Sequence, residues 1–251
     1  MNSLRINGAR VEVWRDVGEI SERAAELVIG IAREAAGRGE FTLALSGGST
    51  PRALYELLAT EEKSARVPWE QTQVFWSDER CVPPDDAESN YRLAHEALLS
   101  RVPVPAEHVH RMRGEDEPGA AAAAYAGELE KNVGAGDPRL SLILLGMGED
   151  GHTASLFPQT DALKDTVHTV AANYVEKLKS HRLTMTLRTL NAAATVIFLV
   201  SGAAKSEALS KVFESDAVAD GSLPARLVRP AQGELIWLVD EDAARLVTNK
   251  Y

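Results

Sequence analysis

Cysteine is almost absent. Cys81 is the only one in 251 residues, which excludes an internal disulfide framework and any multi-cysteine zinc site and suits a reducing compartment. Basic residues are outnumbered, with 27 Lys and Arg against 37 Asp and Glu for a formal charge of −10, and that balance argues against nucleic acid as the main partner. No stretch runs long enough without charge to span a bilayer, and Met1–Arg10 has polar breaks where a signal peptide needs an apolar core. The expectation is a soluble, acidic, cytoplasmic protein without a membrane or nucleic-acid partner. What is present in quantity is core-forming material: 45% hydrophobic and 25% charged residues are ordinary globular values.

Short apolar runs alternate with amphipathic segments, the pattern of strand-helix-strand units. Expected strands are Val11–Trp14, Phe41–Leu45, Gln73–Trp76, Leu140–Leu145, Thr195–Val200 and Leu235–Val239. Expected helices are Ile20–Arg38, Pro51–Ala59, Asn90–Ser100, Ala120–Asn132, Lys205–Phe213 and Glu241–Leu246. Runs such as Val196–Val200 are apolar throughout, as central strands covered on both faces are. The fold class is therefore α/β, with a mostly parallel sheet covered by helices on both faces. The Pro- and Gly-containing breaks at Val102–Pro105, Gly114–Gly119 and Gly134–Pro138 are short enough to be loops, so residues 1–251 read as one domain. Leu183–Leu187 alternates apolar with polar and reads as a strand with one wet face near a ligand.

Ligands of open α/β sheets bind at the carboxyl ends of the strands. Four loops there are rich in polar or glycine residues. Ser46-Gly47-Gly48-Ser49-Thr50-Pro51 suits either an anion cradle on a helix N-terminus or a plain strand-to-helix turn, and it lacks the lysine of a nucleoside-triphosphate loop. Ser77-Asp78-Glu79-Arg80-Cys81-Val82-Pro83 sets two acids beside an arginine, either as an internal salt bridge, slightly the favoured reading, or as a ligand contact. Gly146, Gly148 and Gly151 match the spacing of a dinucleotide fingerprint, but Pro158 leaves no room for the long helix that fingerprint needs. What remains is Asp150 two residues before His152, an arrangement for general acid–base chemistry, or else a histidine capping a short helix. Ser201-Gly202-Ala203-Ala204-Lys205 places a cation in the first turn of a helix, where an anion would compensate it. His108 and His110 have metal-like spacing but imply no third ligand, Cys81 reads as packing, and no G-x-S-x-G elbow occurs.

Leu45-Ser46-Gly47-Gly48-Ser49-Thr50-Pro51, Trp76–Pro83 with Ser89-Asn90-Tyr91, Leu145–Pro158 and the Ser201–Lys205 loop together resemble the 6-phosphogluconolactonase family, in order along nearly the whole chain. The resemblance implies the Rossmann-like α/β fold shared with glucosamine-6-phosphate isomerase. It also implies hydrolysis of 6-phospho-D-glucono-1,5-lactone in the oxidative pentose phosphate pathway, with no metal and no cofactor. His152 and Asp150 are then the catalytic pair. Arg80, Lys205 and Arg182 face the sugar phosphate with the Gly47, Gly48, Ser49 and Thr50 backbone, Asp78 is in support, and the chain works as a monomer or weak homo-oligomer. The family often carries prolines before this arginine, whereas Lys179-Ser180-His181 precede Arg182 here. The isomerase relatives carry a glutamate where this chain has Phe157, which favours the lactonase. A non-catalytic sugar-phosphate sensor is the other alternative, but the chain has no spare basic segment for DNA.

Overall fold

The computed structural model describes residues 2–214 and 221–247. Along the chain run β1 (Asn2–Ile6), β2 (Ala9–Trp14), α1 (Val17–Ala36), β3 (Phe41–Leu45), α2 (Ser49–Leu58), α3 (Glu61–Ser64), β4 (Thr72–Trp76), β5 (Asp78–Arg80), α4 (Asn90–Ala94), α5 (Pro118–Val133), β6 (Leu142–Leu145), β7 (Val170–Val175), β8 (Ser180–Met185), α6 (Leu187–Ala192), β9 (Thr195–Val200), α7 (Ser206–Phe213), β10 (Glu234–Asp240) and α8 (Glu241–Ala244). The six expected strands and six expected helices all occur, with ends displaced by a few residues. Asp16 moves the start of α1 forward to Val17, because its carboxylate accepts from the Glu19 N–H and caps the helix. The expected helix Asn90–Ser100 is α4 continued by one π turn over His95–Leu99.

The central sheet has the order β1-β2-β10-β9-β6-β3-β4 and is parallel except for the β1–β2 hairpin. Strand side chains alternate between faces, and here each strand feeds two separate apolar layers. Leu43, Leu142, Ile197 and Ile236 pack on one face with α1, α2 and α4 residues such as Ile20, Leu54 and Ala94. Ala44, Ile143, Phe198 and Trp237 pack on the other with Tyr125, Leu209 and Ala243. That double coverage is why these runs contain almost nothing polar.

Three strands were not expected. β1 is marked by the Asn7-Gly8 turn, both residues at positive φ (50° and 85°), a hairpin signal that short flanking runs left unread. β5 and β7 flank β8 in a second, antiparallel sheet of order β5-β8-β7. β8 contains most of the expected Leu183–Leu187 strand, but Leu183, Thr184 and Met185 are all buried and Leu187 opens α6, so the wet face does not exist there. No helix among the described residues is long and apolar enough to cross a membrane.

Two buried tyrosines pin the carboxyl ends of β3 and β4 from opposite faces. Tyr55 of α2 donates to the Ser46 carbonyl at 2.8 Å and accepts from its N–H at 2.9 Å. Tyr125 of α5 does the same for Trp76, at 3.2 and 2.7 Å, satisfying the outward backbone groups of edge strand β4. Tyr125→Phe leaves the buried Trp76 N–H without a partner, and urea denaturation is expected to show a loss of about 1–3 kcal/mol at unchanged m value.

Candidate functional site

β9, β6, β3 and β4 are consecutive in the sheet, so the four loops singled out in the sequence leave adjacent strand ends. They enclose a cleft of about 230 Å³ lined by Gly47–Thr50, Asp78, Arg80, Gly148, His152 and Lys205. A wider groove of about 710 Å³ between α5 and β7 contains none of the candidate residues.

The first wall is the start of α2. Its N-cap is Gly48 at φ 112°, no side chain caps the first turn and no acid stands in it, which leaves N–H groups free for an anion. Gly47 has no room for a side chain, since a Cβ would fall 1.8 Å from the Asn90 Oδ1. The opposite wall is the loop after β9. Asp240, at the end of β10, accepts from the Ser201 hydroxyl at 2.5 Å and from the Gly202 N–H at 3.0 Å, which fixes this loop. Lys205 closes the short 3-10 turn Ala203–Lys205 just ahead of α7, rather than standing in that helix's first turn as expected.

The loop after β4 departs from the expected salt bridge. Neither Asp78 nor Glu79 pairs with the Arg80 guanidinium. Glu79, 2% exposed, accepts from the N–H groups of Arg80, Asn90 and Tyr91 and from the Ser89 hydroxyl, so its carboxyl sits on the N-terminus of α4. Burial raises its carboxyl above the usual range, against the lowering effect of those N–H groups. Asp78, 6% exposed, accepts from the Ser155 hydroxyl at 2.7 Å and from the Asn90 amide at 3.3 Å. Arg80 donates to the Glu88 carbonyl at 2.5 Å. Its register partner across β5 and β8 is Arg182. Two like charges opposed on antiparallel strands repel, and burial together with the Arg80 charge lowers the Arg182 guanidinium from its usual range. Arg80 lines the cleft, whereas Arg182 stands behind it on β8 and is not among the lining residues.

The loop after β6 forms turns and an isolated Thr153–Leu156 bridge, with no helix, so His152 is not a helix cap. The Asp150 Oδ1 lies 2.5 Å from the His152 Nδ1 and accepts the His152 N–H at 3.2 Å. The lowering of its carboxyl far below the usual range comes first from His152, against the cost of burial, and then from Lys177. An ionised carboxylate only accepts, so Nδ1 carries a proton, and in the neutral imidazole Nε2 is the free base. Gly148 makes room for this pair: a Cβ there would stand 2.0 Å from the His152 Nδ1 and 2.8 Å from the Asp150 Oδ1. The Thr153 hydroxyl bonds the Gly146 carbonyl, and the Ser155 N–H bonds the Thr184 hydroxyl, tying the loop to both sheets. Phe157 stacks on the imidazole with ring centroids 4.1 Å apart.

The remaining candidates lie elsewhere. The His110 Nε2 is 2.7 Å from the Gln73 Oε1 and its ring stacks on Phe75. Cys81 packs half-buried, and burial pushes its thiol up. Sequence reasoning missed Asn90 and Ser155 as ties to Asp78, Asp240 as the brace of the β9 loop, and Lys177, whose Nζ pairs with the Asp150 Oδ2. Only Asp240 carried a local signal, an acid ending an apolar run ahead of a helix. The other three act across loops far apart in sequence.

Comparison with known proteins adds three findings. A family model described as glucosamine-6-phosphate isomerases/6-phosphogluconolactonase matches residues 15–237. A 6-phosphogluconolactonase of Nostoc sp. is 43% identical over 240 residues, covering 93% of this chain and 96% of its own, and one of Synechocystis sp. is 45% identical over 217 residues, covering 85% and 87%. The structure of 6-phosphogluconolactonase from Trypanosoma cruzi superposes with a TM-score of 0.83 at 27% identity, covering 99% of this chain and all of that one.

An anion held by the cleft binds the folded state alone. Inorganic phosphate at about ten times its Kd is therefore expected to raise the melting temperature by a few degrees. Arg80→Gln combined with Lys205→Met is expected to abolish that rise.

Proposed function

The chain belongs to the glucosamine-6-phosphate isomerase/6-phosphogluconolactonase family, and on that basis we propose how its site works: His152 is the general base that hydrolyses 6-phospho-D-glucono-1,5-lactone to 6-phosphogluconate, without a metal. The observation that carries this reading is the His152–Asp150 pair, 2.5 Å apart, on a cleft whose rim holds Arg80, Lys205 and the free N–H groups of α2. The 43–45% identity to proteins named as 6-phosphogluconolactonases supports the reaction, which is the lactone-opening step of the oxidative pentose phosphate pathway.

The His152 Nε2 takes a proton from water as the water oxygen attacks the lactone carbonyl. Asp150 holds the imidazole in the tautomer that leaves Nε2 free and supports the imidazolium that forms. Negative charge grows on the carbonyl oxygen in the tetrahedral intermediate, where prearranged donors act most strongly. Arg80, Arg182, Lys205 and the Gly47–Thr50 backbone divide that oxyanion and the substrate phosphate between them, with Asp78 bracing the loops. The carbonyl then re-forms, the bond from C1 to the ring oxygen breaks, and the imidazolium returns its proton to that oxygen. Phosphate binding at a distance from the reacting carbon supplies the energy that orients it.

Phe157 favours this reaction over sugar-phosphate isomerisation. An apolar ring against the imidazole cannot carry the proton that an aldose–ketose shuttle moves. In this reading residues 1–251 work as one α/β domain, as a monomer or weak homo-oligomer in the cytoplasm.

His152→Ala is expected to bind 6-phosphogluconate normally while losing turnover to near the spontaneous rate. Asp150→Asn, which loosens the tautomer, is expected to lower kcat by about 10² or more. Base-consumption assays on the lactone, run with and without a chelator, check both. Wild-type turnover in His152→Ala would remove the base assignment, and chelator sensitivity would remove the metal-free mechanism.

A further inference from the structure

We propose that Lys177 is a positioning residue for the catalytic pair, locking Asp150 and Phe157 around His152. The inference rests on the reading of His152 as the general base.

Lys177 comes from outside the loops of the central sheet. It lies in the 3-10 turn Glu176–Leu178 that joins β7 to β8, held by Lys179 at φ 49°. From there its Nζ pairs with the Asp150 Oδ2, while the Asp150 Oδ1 is taken by the His152 Nδ1 and N–H. Both carboxylate oxygens are thus engaged, and the group cannot rotate without losing a partner. The same Nζ stands 4.9 Å from the centroid of the Phe157 ring, which in turn stacks on the imidazole at 4.1 Å and 21°. Lys177, Asp150, His152 and Phe157 therefore form a closed ring of four contacts in which each neighbour fixes the next.

The lysine is a poor stability device. Its side chain is 55% exposed, and exposed ion pairs contribute little. What distinguishes it is that one ammonium meets a carboxylate and an aromatic face together, two geometric demands on a flexible side chain. It is also not among the residues lining the cleft, where Asp78, Arg80 and Lys205 are the other charged groups near His152. Its influence on the reaction runs through Asp150. The ammonium holds the carboxylate in line with Nδ1 and draws off part of its negative charge, so that Asp150 orients the imidazole without over-stabilising the proton that Nε2 must return to the leaving oxygen.

The test uses the full-length protein with Lys177→Met, which keeps the stem and removes the charge, and Lys177→Arg, which keeps both contacts. In Lys177→Met, kcat is expected to fall about tenfold as the dyad loosens, with KM within about twofold. The acid limb of kcat/KM against pH is expected to move to higher pH, because Asp150 unopposed by Lys177 holds a proton on the imidazole more strongly. Lys177→Arg is expected to recover kcat to within about threefold of wild type, and both variants should melt within about 2 °C of it. A rise in KM at unchanged kcat would make Lys177 a substrate contact and overturn the proposal. So would unchanged kcat and pH limb in Lys177→Met when His152→Ala is inactive. Full turnover in His152→Ala would instead remove the general-base reading on which the proposal stands.

Discussion

Two adjacent buried carboxylates hold the functional edge of this molecule together, and neither is neutralised by a cation. Glu79 is satisfied by two backbone N–H groups and a hydroxyl at the start of α4 and by the Arg80 N–H of its own strand, and Asp78 by the Ser155 hydroxyl and the Asn90 amide. Burying a carboxylate is tolerable only when its lone pairs are met, so these bonds oblige β5, α4 and the loop after β6 to occupy one relative position. The consequence for chemistry is what the carboxylates leave alone. Had Asp78 or Glu79 paired with Arg80, the guanidinium would be unavailable to an anion.

The same economy explains how a chain of charge −10 can accept a phosphorylated substrate. Many of its arginines are engaged at the surface, Arg52 with Glu56, Arg92 with Glu96, Arg111 with Glu115 and Arg188 with Asp137. Among the described residues, Arg80, Arg182 and Lys205 form no ion pair of this kind. Positive potential is therefore local, set where β9, β6, β3 and β4 end side by side and where α2 begins without an acid.

Much of this was legible in the sequence because it obeys local rules. Apolar runs such as Val196–Val200 marked the buried strands, and glycine, serine and lysine just after them marked the loops that form the cleft. The Asp150–His152 pair was visible because its members are two residues apart. The unread parts depend on distance along the chain. Strand β7 has no strong alternation, and β5 is three residues of Asp-Glu-Arg that read as a loop until paired with β8. The expected salt bridge of Arg80 failed for the same reason: its rivals for Asp78 and Glu79 were Ser155 and the α4 N-terminus, which no spacing rule connects to residue 80. Lys177 reaches Asp150 from another sheet, across 27 residues.

The central claim is geometric, that one cleft holds the phosphate against its cations and the lactone carbon against the His152 Nε2. A crystal structure of the His152→Ala protein with bound 6-phosphogluconate tests it most directly. The account predicts the phosphate against Arg80, Arg182, Lys205 or the start of α2, with the C1 carboxylate facing the space vacated by the imidazole. A product bound with its phosphate outside this cleft, or with C1 turned away from residue 152, would contradict it.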